Sequence, residues 1–274
     1  MIRVVTDSAA MLPGDLRDRY DVAVVPLTIT IDGRDYTEGV DLTTADFYAF
    51  LQGGASVSTA APAPGAFAAV YSAAAAAGAT AVLSIHTGTA YSATVASAAI
   101  ASRLVDVPVD VVDSGVASFP VALAVWTAAE HLAAGDTADM AADAALRTAA
   151  ETGSVFIVGV PELARRGGRF VAVEGTITPS TVVQLADGAL SELAHVGDVS
   201  EAIEQMVDRT VQLGRARPIR VGIGHAVRVD VARHLAERLE HGTGITSVTV
   251  YDIGPSVGAH TGAGTVGVVY APAP

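Results

Sequence analysis

The chain has 274 residues, of which 51% are hydrophobic and 16% charged, a balance typical of a folded protein and far from that of a disordered one. Its formal net charge of -13 opposes a phosphate backbone, and no Lys/Arg cluster reverses that charge locally, so we expect no nucleic-acid partner. The absence of cysteine excludes disulfides, a thiolate nucleophile and a cysteine-ligated metal.

The two most apolar regions do not resemble export or membrane segments. The N-terminus, "MIRVVTDSAAMLPG", lacks the basic start and apolar core of a secretory signal. The later window "SFPVALAVWTAAEHLAAG" is interrupted by Pro120, Glu130 and His131 and is too short to span a bilayer. We therefore predict a buried or half-buried helix there, no integral membrane segment and a cytoplasmic location.

In the first half of the chain, short runs of branched residues alternate with alanine-rich runs. The predicted strands are "IRVVT", "VAVVPL", "AVLSI" and "VDVVDS". This alternation indicates a parallel sheet with crossover helices, because a parallel connection needs a dozen or more residues. After the second strand, "TITIDGR" predicts a small hairpin, and a short helix should begin near Thr43 or Thr44.

The second half contains a different pattern of elements. It predicts a strand at "SVFIVGV", a short helix in "PELARRGGRF", a turn at "ADG", a helix from Val199 to about Leu213, a strand at "IRVGIGH", a helix from Val229 to His241 and two last strands. We predict an N-terminal parallel-sheet α/β domain over 1–155 and a smaller C-terminal α+β domain over 156–274. Two domains without a linker predict a ligand cleft between them.

Polar stretches follow several predicted strands, where open α/β sheets place ligands. In "SIHTGTAYS", Ser84, Thr87, Gly88 and Thr89 surround the expected turn from strand to helix. Hydroxyl and N–H groups at such a turn can bind a carboxylate or a phosphate, and an N-cap without any ligand is the simpler interpretation.

The common nucleotide, hydrolase and metal motifs are missing. The sequence contains no dinucleotide fingerprint opening a helix, no P-loop, no nucleophile elbow and no histidines at metal-ligand spacing. We therefore predict neither a metal nor a cofactor.

Two unusual stretches leave alternatives open. Arg165, Arg166 and Arg169 lie around two glycines, a pattern that fits a helix C-terminus or a contact with an anion or a partner. His260 lies in "GPSVGAHTGAGTVGVVY", where it could be a satisfied core histidine or could donate a hydrogen bond to a ligand oxygen.

In chain order, seven motifs resemble those of the DegV family, bacterial proteins that bind a fatty acid and include the fatty-acid-binding subunits of the fatty acid kinase system. The motifs are "VTDSAAMLP", "VVPLTITIDGRDYTEGVDL", "TAAPAPGAF", "TGTAYSA", "VVDS", "ELARRGGRF" and "IGPSVGAHTGAGTVGVVY". They cover almost the whole chain. Each motif is weak by itself, and their common order carries the resemblance.

The resemblance implies a lipid carrier without catalysis of its own. Residue by residue, it implies that the fatty-acid carboxylate is held between the domains by Thr59, by Ser84 or Thr87, and by His260. Gly88 and Arg169 complete the predicted fatty-acid-binding set. A separate kinase would phosphorylate the bound acid, so the resemblance implies a long-chain fatty acid as the ligand and a fatty acid kinase subunit as the partner. A carrier for a different apolar acid, such as a branched or hydroxylated lipid, is an alternative that the sequence leaves open.

This chain also departs from the family pattern. Ala60 and Ala61 replace the serine and glutamine after the threonine, and Ala90 precedes Tyr91 where a tyrosine is expected. His86 occupies a usually apolar position, where it could add a second imidazole near the head group or face solvent; we expect it to face solvent. After the "ADG" turn, His195 is the one candidate cation for docking to a kinase.

An enzyme is the rival hypothesis. The same Ser/Thr/His cluster, together with Asp7 or Asp113, could serve a small-molecule hydrolase or a phosphotransferase. Residue spacing reveals no pair of base and orienting group, although distant residues can converge in a fold.

Overall fold

The computed structural model describes residues 1–166, 178, 181–186 and 189–273, without the side chains of 164–166. The chain divides into two compact units. The first unit consists of Met1–Thr43 and Val57–Ala150, and the second of Thr44–Ser56 and Glu151–Pro274. The segment Thr44–Ser56 thus belongs to the second unit although it lies in sequence between two parts of the first. The single boundary predicted near residue 155 does not account for this insertion.

The strands and helices predicted from the sequence occur in their predicted order, and a helix that was not predicted lies between the last two strands. The strands are β1 (Ile2–Asp7), β2 (Ala23–Val25), β3 (Thr28–Ile31), β4 (Arg34–Thr37), β5 (Val57–Ala60), β6 (Ala81–His86), β7 (Val109–Asp113), β8 (Gly153–Ile157), β9 (Thr181–Ala186), β10 (Ala189–His195), β11 (Ile219–His225), β12 (Ile245–Asp252) and β13 (Val266–Pro272). The helices are α1 (Gly14–Arg19), α2 (Thr44–Gln52), α3 (Pro64–Ala76), α4 (Thr94–Ala101), α5 (Phe119–Ala133), α6 (Ala138–Ala150), α7 (Pro161–Arg166), α8 (Val199–Ala216), α9 (Val229–Leu239) and α10 (Pro255–Thr261).

The main sheet of the first unit is parallel, as predicted, with strand order β2-β1-β6-β7. Both faces are buried, which explains the continuous branched runs in its strands. On one face, Val5 and Val82 pack in a core with Phe67 and Tyr71 of α3. On the other face, side chains of β1 and β6 pack against α5 and α6. Consecutive residues of one strand therefore point to opposite helical layers.

The apolar window near residue 120 forms α5, as expected, and most of its residues are buried. Burial against the sheet accounts for its composition. In the part of the chain that the structure describes, no helix has the length and apolarity needed to cross a membrane.

The predicted hairpin forms a separate three-stranded antiparallel sheet of order β4-β3-β5. Its turn contains Asp32 and Gly33, both with positive φ (48° and 83°). Two successive positive φ values suit the right-handed twist of a two-residue hairpin, which is why Asp-Gly is favoured there. On β5, Thr59 pairs with Ile29 of β3.

The second unit contains a six-stranded sheet of order β10-β9-β8-β13-β11-β12. Among the described strand pairs of this sheet, β11 and β12 are parallel, and the other pairs are antiparallel. Helices α8 and α9 supply the apolar side chains that pack with the sheet in the core. The α/β and α+β layers predicted from the sequence are thus confirmed.

At the end of β11, His225 lies in a buried environment that makes the stability of the second unit depend on pH. Its Nε2 is 3.5 Å from Asp252 Oδ1, and its buried Nδ1 has no hydrogen-bond partner among the described residues. Burial lowers the pKa of His225 below its ordinary value of 6.5, and the Asp252 carboxylate opposes this shift. The folded chain therefore binds this proton less readily than the unfolded chain does.

We accordingly expect the low pKa of His225 to make the folded chain less stable at acidic pH. The free energy of unfolding is unaffected by the protonation of His225 above pH 6.5. It decreases as the pH falls from there toward the lower folded pKa, because only the unfolded chain gains the proton. Urea unfolding followed by circular dichroism should show a smaller pH dependence in His225→Gln than in the unaltered chain. The exposed His241 supplies the control His241→Gln, and identical pH profiles for all three proteins would contradict the assignment.

Candidate functional site

Asp7 is a fully buried carboxylate at the carboxyl end of β1. Its Oδ1 accepts hydrogen bonds from the Ala9 N–H at 3.1 Å and from Thr87 Oγ1 at 3.0 Å. Its Oδ2 accepts from the Thr87 N–H at 2.9 Å and lies 3.1 Å from His86 Nδ1. Four partners replace the water that an ionised carboxylate loses on burial.

The hydrogen bonds continue from Asp7 through His86 along β6. His86 Nε2 is 2.6 Å from Ser84 Oγ, and Ser84 Oγ is 2.8 Å from the Tyr71 hydroxyl. We refer to Asp7, His86, Ser84 and Tyr71 as the buried polar chain. Residues 84 and 86 are two apart in a strand, so both side chains point to the same face of the sheet.

Helix α3 covers the buried polar chain. Phe67 and Tyr71 are four residues apart and therefore lie on the same side of this helix. The Phe67 ring contacts the His86 ring edge-on, with centroids 5.0 Å apart. Burial raises the pKa of the Tyr71 hydroxyl, against a smaller lowering by its hydrogen bond to Ser84. Tyr71 consequently remains a protonated hydrogen-bond donor.

The expectation that His86 faces solvent is wrong. Its side chain is 0% exposed. A buried imidazole is tolerated here because Asp7 and Ser84 provide partners for both ring nitrogens. The apolar contacts that a hydrophobic residue would make at this position are partly retained through the Phe67 ring.

The segment after β6 is also different from the predicted one. The interpretation of Ser84–Thr89 as the cap of a following helix is wrong, because α4 begins only at Thr94, with Ala93 as its N-cap residue. The intervening loop is held by carboxylates instead. Thr89 donates to Asp113 from its hydroxyl at 2.7 Å and from its N–H at 3.2 Å. Asp7 and Asp113 thus fix the two ends of a Thr-Gly-Thr turn.

Gly88 is required in this turn by a close backbone contact. A Cβ at Gly88 would lie 2.7 Å from both the Cα and the carbonyl carbon of Gly115. The Gly88 N–H also donates to the Val116 carbonyl at 2.8 Å. The two loops that follow β6 and β7 can therefore approach each other only without a side chain at this position.

The structure places the predicted site residues in different environments. Ser84 and Thr87 are buried and belong to the hydrogen-bonded cluster around Asp7, and Gly88 lies next to it. Thr59 is half-buried on β5 of the hairpin sheet, and His260 is half-buried in the last turn of α10. Arg169 lies outside the described residues, as do the side chains of Arg165 and Arg166.

His260 lies in a helix that the glycine-rich sequence did not indicate. Helix α10 packs against α2, and a Cβ at Gly258 would overlap the Tyr48 hydroxyl. Tyr48 in turn donates to the Ile253 carbonyl at 2.9 Å. These contacts within the second unit explain Gly258, since any side chain there would displace Tyr48.

Sequence inspection missed Tyr71 as a member of the cluster. The available signal was a tyrosine in the middle of an alanine-rich helix, four residues after Phe67. A tyrosine on the buried face of a helix must find a partner for its hydroxyl. That partner could be identified only once the strand facing the helix was known.

The hydrogen bonds connect Ser84 to His86 and His86 to Asp7. A catalytic triad connects its nucleophile, base and orienting carboxylate in the same order. Ser84 is, however, 0% exposed and lies between Tyr71 and His86. Nucleophilic attack needs space for a substrate carbonyl next to the hydroxyl, together with donors for the developing oxyanion. The hydrogen bonds of the buried polar chain hold His86 and Thr87 in fixed orientations.

Comparisons with known proteins agree with this architecture. A DegV domain-containing protein of Streptomyces coelicolor is 33% identical over 273 residues, covering 98% of this chain and 97% of its own length. One from Mycobacterium tuberculosis is 33% identical over 274 residues, covering 97% and 95%. Both relatives are therefore similar over nearly their whole length.

Solved structures show the same fold. A DegV family protein from Thermus thermophilus, described for its fatty acid binding, superposes with a TM-score of 0.89 at 28% identity over 99% of both chains. DegV from Bacillus subtilis, a fatty acid binding protein, superposes with a TM-score of 0.85 at 23% identity, covering 99% of each chain; this second likeness concerns the fold. The DegV family model matches residues 1–273, and the chain belongs to the DegV family.

Proposed function

We propose that this protein binds a long-chain fatty acid whose carboxylate is held by Thr59, by Ser84 or Thr87, and by His260. The observation that carries the proposal is the full-length likeness to the Thermus thermophilus protein described for its fatty acid binding. The position of Thr87 and Gly88 at the carboxyl end of a parallel strand supports it, because ligands of open α/β sheets bind at that edge.

The energetics of such a ligand suit a site with one polar end. At about 0.8 kcal/mol per buried CH₂, a sixteen-carbon chain gains roughly 12 kcal/mol before ordering costs. The carboxylate contributes little unless several donors replace its water. Hydroxyl and imidazole groups are suitable donors. In this proposal, affinity comes from the acyl chain and orientation from the polar residues.

We further propose that the protein is a carrier in the cytoplasm, which presents the acid to a separate fatty acid kinase. The rival function, hydrolysis or phosphotransfer, is favoured by the Ser84–His86–Asp7 order. The full-length likeness to a protein described for its fatty acid binding favours the carrier instead.

Mass spectrometry of the purified protein tests the ligand directly. We expect native spectra to contain a complex whose extra mass matches one long-chain acid, and lipid extraction to release that acid. Protein that carries no acid and takes none up on addition would refute the proposal. Acyl phosphate formed without any added kinase would favour the enzyme.

His260→Ala tests the role of the imidazole. Loss of one hydrogen bond to a charged group costs about 1.5–3 kcal/mol, so the acid should bind about 10- to 150-fold more weakly. Titration with a fluorescent fatty acid measures this change. His241→Ala is the matched control, since His241 is exposed. Unchanged affinity in His260→Ala, with a native circular dichroism spectrum, would remove His260 from the site.

A further inference from the structure

We infer that His86 is a proton-binding residue of the fatty-acid site, and that the carboxylate binds together with one proton taken up by the buried polar chain. This inference rests on the proposed fatty-acid site at Ser84 or Thr87. It follows from the number of hydrogens that the hydrogen bonds of the cluster can use and from the carboxylates around it.

The first argument is the number of available hydrogens. With His86 neutral and protonated on Nδ1 toward Asp7, Ser84 must donate its hydroxyl hydrogen to His86 Nε2. Tyr71 then donates to Ser84. The hydroxyl hydrogen and the N–H of Thr87 both point to Asp7. Every hydroxyl hydrogen of the cluster is thus used internally.

A fatty-acid carboxylate only accepts hydrogen bonds. It therefore finds no free hydroxyl donor at Ser84 or Thr87 while His86 is neutral. If His86 gains a second proton, its Nε2–H donates to Ser84 Oγ instead. The hydroxyl hydrogen of Ser84 is then released, and one donor in the cluster becomes available for a ligand oxygen.

The second argument is charge. Asp7 is a buried carboxylate, so a second carboxylate beside Thr87 meets repulsion from it. An imidazolium at His86, hydrogen-bonded to Asp7, offsets that repulsion. Asp113 is a further carboxylate next to this site, since it pairs in register with His86 on β7 and is bonded to Thr89 and Gly115.

The groups that face His86 come from each neighbouring element. They are Asp7 from β1, Ser84 from its own strand and Phe67 from α3. Tyr71 of α3 is linked to His86 through Ser84, and Asp113 is the register partner of His86 on β7. Among the described residues, no cationic side chain is hydrogen-bonded to the buried polar chain. A proton on His86 is therefore the group able to balance an added carboxylate.

Isothermal titration calorimetry with dodecanoic acid tests the inference. The titration is performed near neutral pH in phosphate and in Tris, two buffers with different enthalpies of ionisation. We expect the observed enthalpies to correspond to uptake of about one proton per bound acid. Carbon-13 NMR of carboxyl-labelled dodecanoic acid should show that the bound ligand is ionised, so that the proton resides on the protein.

Variants then locate the proton. His86→Gln keeps a hydrogen-bonding side chain that does not titrate, and it should bind with proton uptake close to zero. His131→Gln is the matched control, because His131 also pairs with an aspartate, with Nδ1 2.7 Å from Asp136 Oδ2; its uptake should be unchanged. Should His86→Gln fail to fold, nitrogen-15 NMR of the unaltered protein decides, with both His86 ring nitrogens protonated only when the acid is bound.

Three results would overturn the inference: binding without proton uptake, equal uptake in His86→Gln, or a bound acid that is itself protonated. These results leave the fatty-acid site intact, since each requires binding. No binding of dodecanoic acid or of longer acids would instead overturn the proposed function, and this inference with it.

Discussion

Asp7→Asn is expected to destabilise the first unit by about 3–5 kcal/mol, because a buried hydrogen-bonded carboxylate is replaced by a group with a single acceptor oxygen. In the asparagine, an NH₂ group faces donors that now lack an acceptor. The affected donors come from Ala9, His86 and Thr87. The variant retains the shape of the side chain, so the loss measures hydrogen bonding and charge.

The chain offers a selective probe for this measurement. Trp126 is its single tryptophan and lies on α5 of the first unit, so its fluorescence in urea reports unfolding of that unit. Asp110→Asn is the control, since Asp110 is exposed on β7; it should change stability by no more than about 0.5 kcal/mol. A similarly small change in Asp7→Asn would mean that water satisfies these donors.

Gly88→Ala should destabilise the first unit by about 1–3 kcal/mol through a clash between backbones. The added Cβ would lie 2.7 Å from the Gly115 backbone. The Gly115 loop has little freedom to move away, because its N–H donates to Asp113 at 3.0 Å. Thr87 must then shift with Gly88, so the variant should also weaken the proposed fatty-acid binding.

Gly65→Ala is the matched glycine control. Gly65 lies in α3, where an added Cβ would meet no heavy atom within 4 Å among the described residues. Alanine is the better helix former, so this variant should be as stable as the unaltered chain or up to about 1 kcal/mol more stable. Equal effects of the two substitutions on Trp126 unfolding would show that the approach of Gly88 to Gly115 can relax.

Most of the strand and helix order could be predicted because it depends on local patterns. Runs such as "IRVVT" and "VDVVDS" became β1 and β7 of the parallel sheet, since strands buried on both faces require continuous branched residues. The "IDGR" turn could likewise be predicted, because Asp32 and Gly33 tolerate positive φ. The strand at "IRVGIGH" is β11 with the predicted bounds.

The helix around His260 was harder to predict. Its sequence, "PSVGAHT", contains a glycine and few strong helix formers. Helix α10 is stabilised instead by packing on α2, where Gly258 lies against Tyr48. A tertiary contact of this kind outweighs weak local propensity and leaves no local signal.

The sequence by itself determined the order of the strands and helices, the family resemblance and the segment in which Ser84, Thr87 and Gly88 lie. Only the tertiary structure decided that His86 is buried between Asp7 and Ser84 beneath Phe67. Asp7 and Thr87 are 80 residues apart, and whether an imidazole meets water or a carboxylate depends on which strand becomes its neighbour. Local periodicity contains no information about that choice, whereas the hydrogen bonds of a buried charge depend on it entirely.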